Sequence, residues 1–437
     1  MSRRTRNERP LPRDPQRVVV DGFTHGGEGV ARLEGKAVFV PGALPGETVL
    51  VRVCDDRSRW ARAELLEVVE ASPDRVEPPC PYVGDCGGCD LQHATPEAQR
   101  ALKTRVVREQ LTRLGGVDDP PVLACRPVGP DTGYRAQARM HADEDGHLGF
   151  HRAGSNEVVG IEHCLVLTDA AQGLRTEVGD ATGAEEVRLR RFTPDGAGAV
   201  VLSPGPGPLE LPDGHFDILL AQPDGSTVAM RGDGQLEVEV DGLTFTVPAL
   251  SFFQPGVPAA EALLREVVAA TGPIEGALTW DLYAGVGLLS LGLARAGAEV
   301  IAVEGDEQAA AAARANAEAN GLEVTVVAEA VGTFARRAGR GPGATDDATA
   351  RATAEPPDVV VLDPPRTGAG EGVIAALSAL RPAAIVYVAC DVAALSRDTR
   401  HLADAGYELR RAAPLDLFPM THHVEVVATF TPGARAT

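Results

Sequence analysis

The stretch "DLYAGVGLLSL", residues 281–291, decides how the rest of the chain is read. A strand-like run ends at Asp281-Leu282-Tyr283, glycines stand at 285 and 287, and an apolar helical pattern starts at once. Glycine allows a tight turn and close approach of backbone to a ligand. On either side lie the runs "ALTWDLY", "EVIAVEG", "EVTVVAE", "PDVVVLD" and "AAIVYVAC", which read as strands buried on both faces. Helical stretches at 307–320 and 371–380 fall between them, so the pattern predicts a parallel sheet with right-handed crossovers. Two further strand-like segments, about 407–414 and 423–430, are joined by "LDLFPMTH", which leaves no room for a helix. They are expected to form an antiparallel pair at the sheet.

The carboxyl edge of such a sheet is where ligands bind. Glu304 ends the second strand, 23 residues after Asp281, where a carboxylate can accept hydrogen bonds from ribose hydroxyls. The glycine spacing is not that of a dinucleotide fold, because Ser290 stands at the last glycine position. S-adenosylmethionine, with no pyrophosphate to cradle, is the more natural ligand. Asp363 closes the fourth strand in "VVVLDPPRTG", residues 359–368, before two prolines that stiffen the turn. A helix-capping Asp would look the same. Cys390 ends the fifth strand in "YVACDVAALSRD", residues 387–398. An isolated Cys is often only a buried thiol. Its place at this edge points instead to a nucleophile, and a following helix N-terminus would be expected to lower its pKa.

Residues 15–71 read as a small barrel, OB-like, of four or five Val- and Leu-rich strands punctuated by Gly26-Gly27, Gly35 and "PGALPG". A helix is predicted over about 96–114, with Thr95 as N-cap and Pro96 in its first turn. Residues 130–250 look strand-rich but turn-dense, and are expected to be a weakly ordered or meandering β region. The low-complexity run 338–357 is expected to be a mobile surface loop. The chain thus divides into a barrel at 15–71, a central mostly β domain at 72–250, and a Rossmann-like α/β domain at 251–434.

Cys80, Cys86 and Cys89 in "CPYVGDCGGCD" have the spacing Cys-x5-Cys-x2-Cys, and Cys164 supplies a fourth thiol. Four thiolates can hold an iron–sulfur cluster or a structural zinc, and the spacing does not choose between them. Composition excludes less. With 437 residues the chain has room for two or three domains. A net charge of -21 argues against a simple basic nucleic-acid glue but not against an enzyme acting on nucleic acid through local Arg clusters. No apolar run spans a membrane, and "MSRRTRNERPLPRDPQR" has no apolar core of a secretory signal. A cytoplasmic monomer is expected.

These residues carry a resemblance. The chain resembles the RNA 5-methyluridine methyltransferases, S-adenosylmethionine-dependent enzymes that methylate uridine carbon 5 in tRNA and 23S rRNA. The likeness covers nearly the whole chain: a TRAM-like barrel, the four cysteines, "SFFQ" at 251–254, "DLYAGVG", "DPPR", "YVACDVAALSRD" and "DLFPMTHHVE" at 416–425. It implies a [4Fe-4S] cluster on Cys80, Cys86, Cys89 and Cys164 rather than zinc. It implies cofactor contacts from Gln254, Tyr283, Glu304 and Asp363, Cys390 as nucleophile, Glu425 as general base, and RNA as partner. Two positions depart from the pattern: Asp391-Val392 stands where Asn-Pro is common, and Leu288 where a polar residue is frequent. Asp391 beside the thiol should raise its pKa unless it points away. Arg135 and Arg139 in "GYRAQARMH" are candidate RNA contacts. The expected RNA is 23S rRNA, with a tRNA T-loop uridine as the alternative. A non-catalytic RNA-binding protein with a metal-stabilised domain is the reading from another class, which the presence of Cys390, Glu425, Asp363 and Gln254 argues against.

Overall fold

The computed structural model describes residues 14–338 and 355–433. Most of the low-complexity run 338–357 lies outside the described residues. Strands Gln16–Phe23, Glu28–Leu33, Lys36–Pro41, Thr48–Asp56 and Trp60–Glu70 close into a barrel. Val18, Val20, Val38, Val40, Val49 and Val51 alternate with outward residues and fill it. The tight hairpin at Glu34-Gly35 has both residues at positive φ, 50° and 79°, matching the right-handed twist of the flanking strands.

The central region is better ordered than its sequence suggests. Seven strands form one sheet, and helix Asp169–Val178 packs Leu174 and Val178 against Met140, Leu189 and Leu202. The turn-dense segment conceals strand Gly198–Pro204, in which Ala199, Val200, Val201 and Leu202 are all buried. Burial on both faces removes the polar alternation that marks a strand in sequence.

The third sheet has eight strands in the order Val324–Ala328, Glu299–Glu304, Leu278–Leu282, Val359–Leu362, Ala384–Ala389, Glu425–Pro432, Tyr407–Asp416 and Arg126–Pro127. The first five are parallel, and the strands at 407–416 and 425–432 pair antiparallel as expected. From Leu278–Leu282 the chain winds outward through two strands, then returns to the other side at Val359–Leu362. That reversal opens a crevice at the carboxyl edge between Leu278–Leu282 and Val359–Leu362. Trp280 and Leu362 join a core on one face, and Val359 and Val361 join a core on the other. Helix Pro96–Arg113, capped by Thr95 Oγ1 accepting from the Ala98 N–H at 3.3 Å, packs against helix Val392–Asp404 beside this sheet. Among the described residues no helix is long and apolar enough to cross a membrane.

Candidate active site

The crevice begins at Tyr283, a non-glycine residue held at φ 64°, followed by Gly285 at 56° and Gly287 at 91°. These three left-handed residues turn the chain from strand into helix Leu288–Arg295, while the Tyr283 and Ala284 N–H groups stay bound to the Val303 carbonyl at 2.9 and 3.1 Å. Glu304 braces it. One carboxylate oxygen accepts from the Gly285 N–H and the other from the Asp306 N–H, both at 2.8 Å. Asn316 ties the same loop down from below, donating to the Val286 carbonyl at 2.9 Å. Gln254, Tyr283 and Asp363 line one small cavity of about 40 Å³ with Phe252, Asp281 and Leu288. Glu304 stands next to it through Gly285. Asp281, unassigned from sequence, is wholly buried; Ser290 donates to Oδ2 at 2.5 Å, while Oδ1 has no partner. Burial, with the nearby Asp363 and Glu304 charges, pushes its carboxyl up to about 7.

Cys390 and Glu425 come together by sheet register. Ala389 pairs with Val426 in the antiparallel ladder, so the next position sets Cys390 opposite Glu425. Glu425 is 4% exposed and its Oε1 has no hydrogen-bond partner. Burial raises its pKa well above the usual carboxylate value; Asp363 adds to the rise and Arg366 opposes it. Burial also pushes the neighbouring Asp363 up to about 7. The Cys390 thiol is pushed up to about 11 by burial, then by Glu425 and Asp363, again opposed by Arg366. The helix N-terminus therefore does not lower the thiol pKa as expected, because desolvation and two carboxylates outweigh the dipole. Asp391 is not among the leading causes of this shift. Its Oδ1 caps helix Val392–Asp404 by accepting from the Ala394 N–H at 2.7 Å, and its Oδ2 lies 3.2 Å from His25 Nε2 in the barrel.

Cys80, Cys86, Cys89 and Cys164 line a second cavity, of about 180 Å³, walled by Tyr82, Phe150 and Ile161. The Gly88 N–H donates to Cys86 Sγ at 3.3 Å. Gly87 has no room for a side chain: a Cβ there would sit 2.9 Å from the His151 carbonyl, which accepts the Gly87 N–H. Burial pushes the Cys89 thiol up to about 12, with repulsion from the other three adding to it. Such thiols are costly to ionise unless a cation shares the cavity.

A third cavity, of about 340 Å³, runs from Arg135, Arg139, Arg188 and Arg190 to the "SFFQ" loop. Phe252 is 71% exposed and borders both this cavity and the one at the glycine loop. Arg190 is buried, and its guanidinium holds that loop through the Pro248 and Ser251 carbonyls at 3.2 and 2.8 Å. Arg139 pairs with Glu186. Of the Arg and Lys cluster on helix Pro96–Arg113, Lys103 is 2% exposed and paired with Asp416, so it faces inward rather than toward a nucleic acid. Neither Arg190 nor Lys103 is distinguishable in sequence from a surface cation.

The sheet order and the glycine-loop site define a class I S-adenosylmethionine-dependent methyltransferase. Residues 232–431 match the family profile described as tRNA (Uracil-5-)-methyltransferase, and residues 12–66 match the TRAM domain. An uncharacterized RNA methyltransferase of Streptomyces avermitilis is 37% identical, covering 96% of this chain and 98% of that one. The 23S rRNA (uracil(1939)-C(5))-methyltransferase RlmD of Azoarcus sp. is 35% identical, covering 94% and 99%. In fold, the chain is similar to the Pyrococcus abyssi tRNA (uracil-54, C5)-methyltransferase solved with S-adenosyl-L-homocysteine, with a TM-score of 0.73, 23% identity, and coverage of 95% and 100%. The chain belongs to the RNA uracil-C5 methyltransferase family.

Proposed function

We propose that this chain methylates carbon 5 of one uridine in 23S rRNA, acting as a cytoplasmic monomer, with Cys390 as nucleophile and Glu425 as general base. The observation that carries this reading is the register that sets Cys390 opposite a buried Glu425 with an unpartnered oxygen, at the ligand edge of the sheet. Carbon 5 of uracil is a weak nucleophile. Addition of the Cys390 thiolate at carbon 6 gives carbon 5 enolate character, so a hard step becomes two easier ones. S-adenosylmethionine, when bound, supplies a methyl group on a cationic sulfur; Gln254, Tyr283, Glu304 and Asp363 are the residues to hold it. Glu425 then accepts the carbon 5 proton, and expulsion of the Cys390 thiolate restores the carbon 5–carbon 6 double bond. The raised pKa values suit both tasks. A thiolate of high pKa is intrinsically more nucleophilic, and a carboxylate of high pKa is a stronger base. The target base must leave its stack to reach this pocket.

The choice of 23S rRNA rests on the full-length 35% identity to the Azoarcus enzyme. Incubation with labelled methyl donor and unmodified 23S rRNA or tRNA tests it. Label in one uridine of 23S rRNA is expected; label confined to the tRNA T-loop would favour the alternative.

We infer that the thiol-lined cavity holds a [4Fe-4S] cluster rather than zinc. Four thiolates on one zinc ion, about 2.3 Å from the metal, stand roughly 3.8 Å apart. Among the described residues no three of these sulfurs close to within 4.8 Å of one another, whereas Asp143, Asp145 and His147 on an exposed turn do. Sulfurs spread around a cavity wall suit four separate iron corners, and the Gly88 N–H bond to Cys86 Sγ is the kind that stabilises a cluster thiolate. Anaerobically purified protein is expected to be brown and to hold about four irons and four sulfides per chain. Colourless protein with one zinc would overturn the assignment.

A further inference from the structure

The segment 417–424 links strand Tyr407–Asp416 to strand Glu425–Pro432 and so delivers Glu425 to the site. Met420, near its middle, is held at φ 66°, a left-handed conformation that is unfavourable for any residue with a side chain. Its restraints come from the cysteine-bearing segment and the helix that follows. The Met420 N–H donates to Gln99 Oε1 at 2.8 Å. Its carbonyl accepts from the Asp90 and Leu91 N–H groups at 3.1 and 3.0 Å. Gln99 is 1% exposed, and its amide is locked in this orientation because Nε2 donates to the Ala94 carbonyl at 2.9 Å. The neighbours are gripped as well. Lys103 Nζ donates to the Phe418 carbonyl and the Tyr134 hydroxyl to the Pro419 carbonyl, each at 3.0 Å, and the His422 N–H donates to Asp90 Oδ1 at 2.8 Å.

We propose that Gln99 is a positioning residue for the general base: through Met420 it fixes the path of residues 417–424, and with it the placement of Glu425 opposite Cys390. This deepens the reading of Glu425 as base and rests on it. Cys390 stands on the neighbouring strand of the same ladder, before a helix capped by Asp391, so the Gln99–Met420 hydrogen bond reaches Glu425 directly along the chain and Cys390 only across the ladder. Loss of the Gln99 contact should therefore impair proton removal more than adduct formation. A base displaced by a fraction of an ångström to 1 Å can lose on the order of 100-fold in rate.

The test compares full-length Gln99→Met, which keeps the bulk but none of the amide's three contacts, to the Met420 N–H, the Ala94 carbonyl and Met420 Sδ, with Gln99→Glu, which keeps the acceptor for the Met420 N–H. Single-turnover formation and release of the covalent RNA adduct are followed on denaturing gels, beside Glu425→Gln. Gln99→Met is expected to form adduct within about threefold of wild type while releasing it roughly 10- to 100-fold more slowly, and Gln99→Glu to recover most of the release rate. Release at the wild-type rate in Gln99→Met, or equal slowing of formation and release in both variants, would overturn the proposal. Should Glu425→Gln itself accumulate no adduct, the base assignment fails and not the clamp. The clamp is then judged by amide exchange over residues 417–424: faster exchange in Gln99→Met supports it, and unchanged exchange refutes it. If Gln99→Met folds poorly, the same exchange measurement is read in Gln99→Leu, which likewise lacks the acceptor for the Met420 N–H.

Discussion

Cys390→Ala is expected to abolish methyl transfer, by at least about 10⁴-fold, while leaving the fold intact. The side chain is half-buried at a strand end, so removing one sulfur opens little space and leaves no polar group unpaired. No covalent RNA adduct should form at any pH. In the wild type, adduct formation should rise with pH through the neutral range. The thiol pKa is raised from 9.0 to about 11, so below that value the thiolate fraction grows about tenfold for each pH unit. A Cys390→Ala variant that still methylates RNA would mean that the thiol is only a core residue.

Glu425→Gln is expected to form the adduct and then release it roughly 10²- to 10⁴-fold more slowly, so that protein–RNA complex accumulates on a denaturing gel. The amide keeps the shape of the side chain but cannot accept the carbon 5 proton. It also removes a negative charge that raises the Cys390 pKa, so adduct formation should begin at lower pH than in the wild type. Absence of trapped complex, or a pH profile moved upward, would assign the base elsewhere. Asp363 is then the next carboxylate to test.

Much of this site could be read in sequence because parallel strands impose their own punctuation. Each buried strand is an apolar run, and the first polar residue after it stands at the ligand edge. Glu304, Asp363 and Cys390 became candidates for that reason, whereas Gln254 and Tyr283 were named only through the family resemblance. What decided their chemistry was less visible. The Cys390 pKa is set by burial first and then by Glu425 and Asp363, which strand pairing brings to the thiol. Asp391 was ambiguous until its two oxygens were seen to be engaged by Ala394 and His25, the latter 366 residues away in sequence. Strand Arg126–Pro127 is too short to leave a pattern, and Gln99 looks like any polar residue in the first turn of a helix. Its role comes from a hydrogen bond across 321 residues of sequence. The same limit hid the order of the central sheet, where strands buried on both faces sit among glycines and prolines.

The most direct test of the account is mass spectrometry of the complex trapped by Glu425→Gln, after digestion of both RNA and protein. One cross-linked species is expected: the peptide containing Cys390, joined through sulfur to carbon 6 of a uracil that already bears a methyl group on carbon 5. A uracil joined to another residue, or methyl transfer with no cross-link to Cys390, would contradict it.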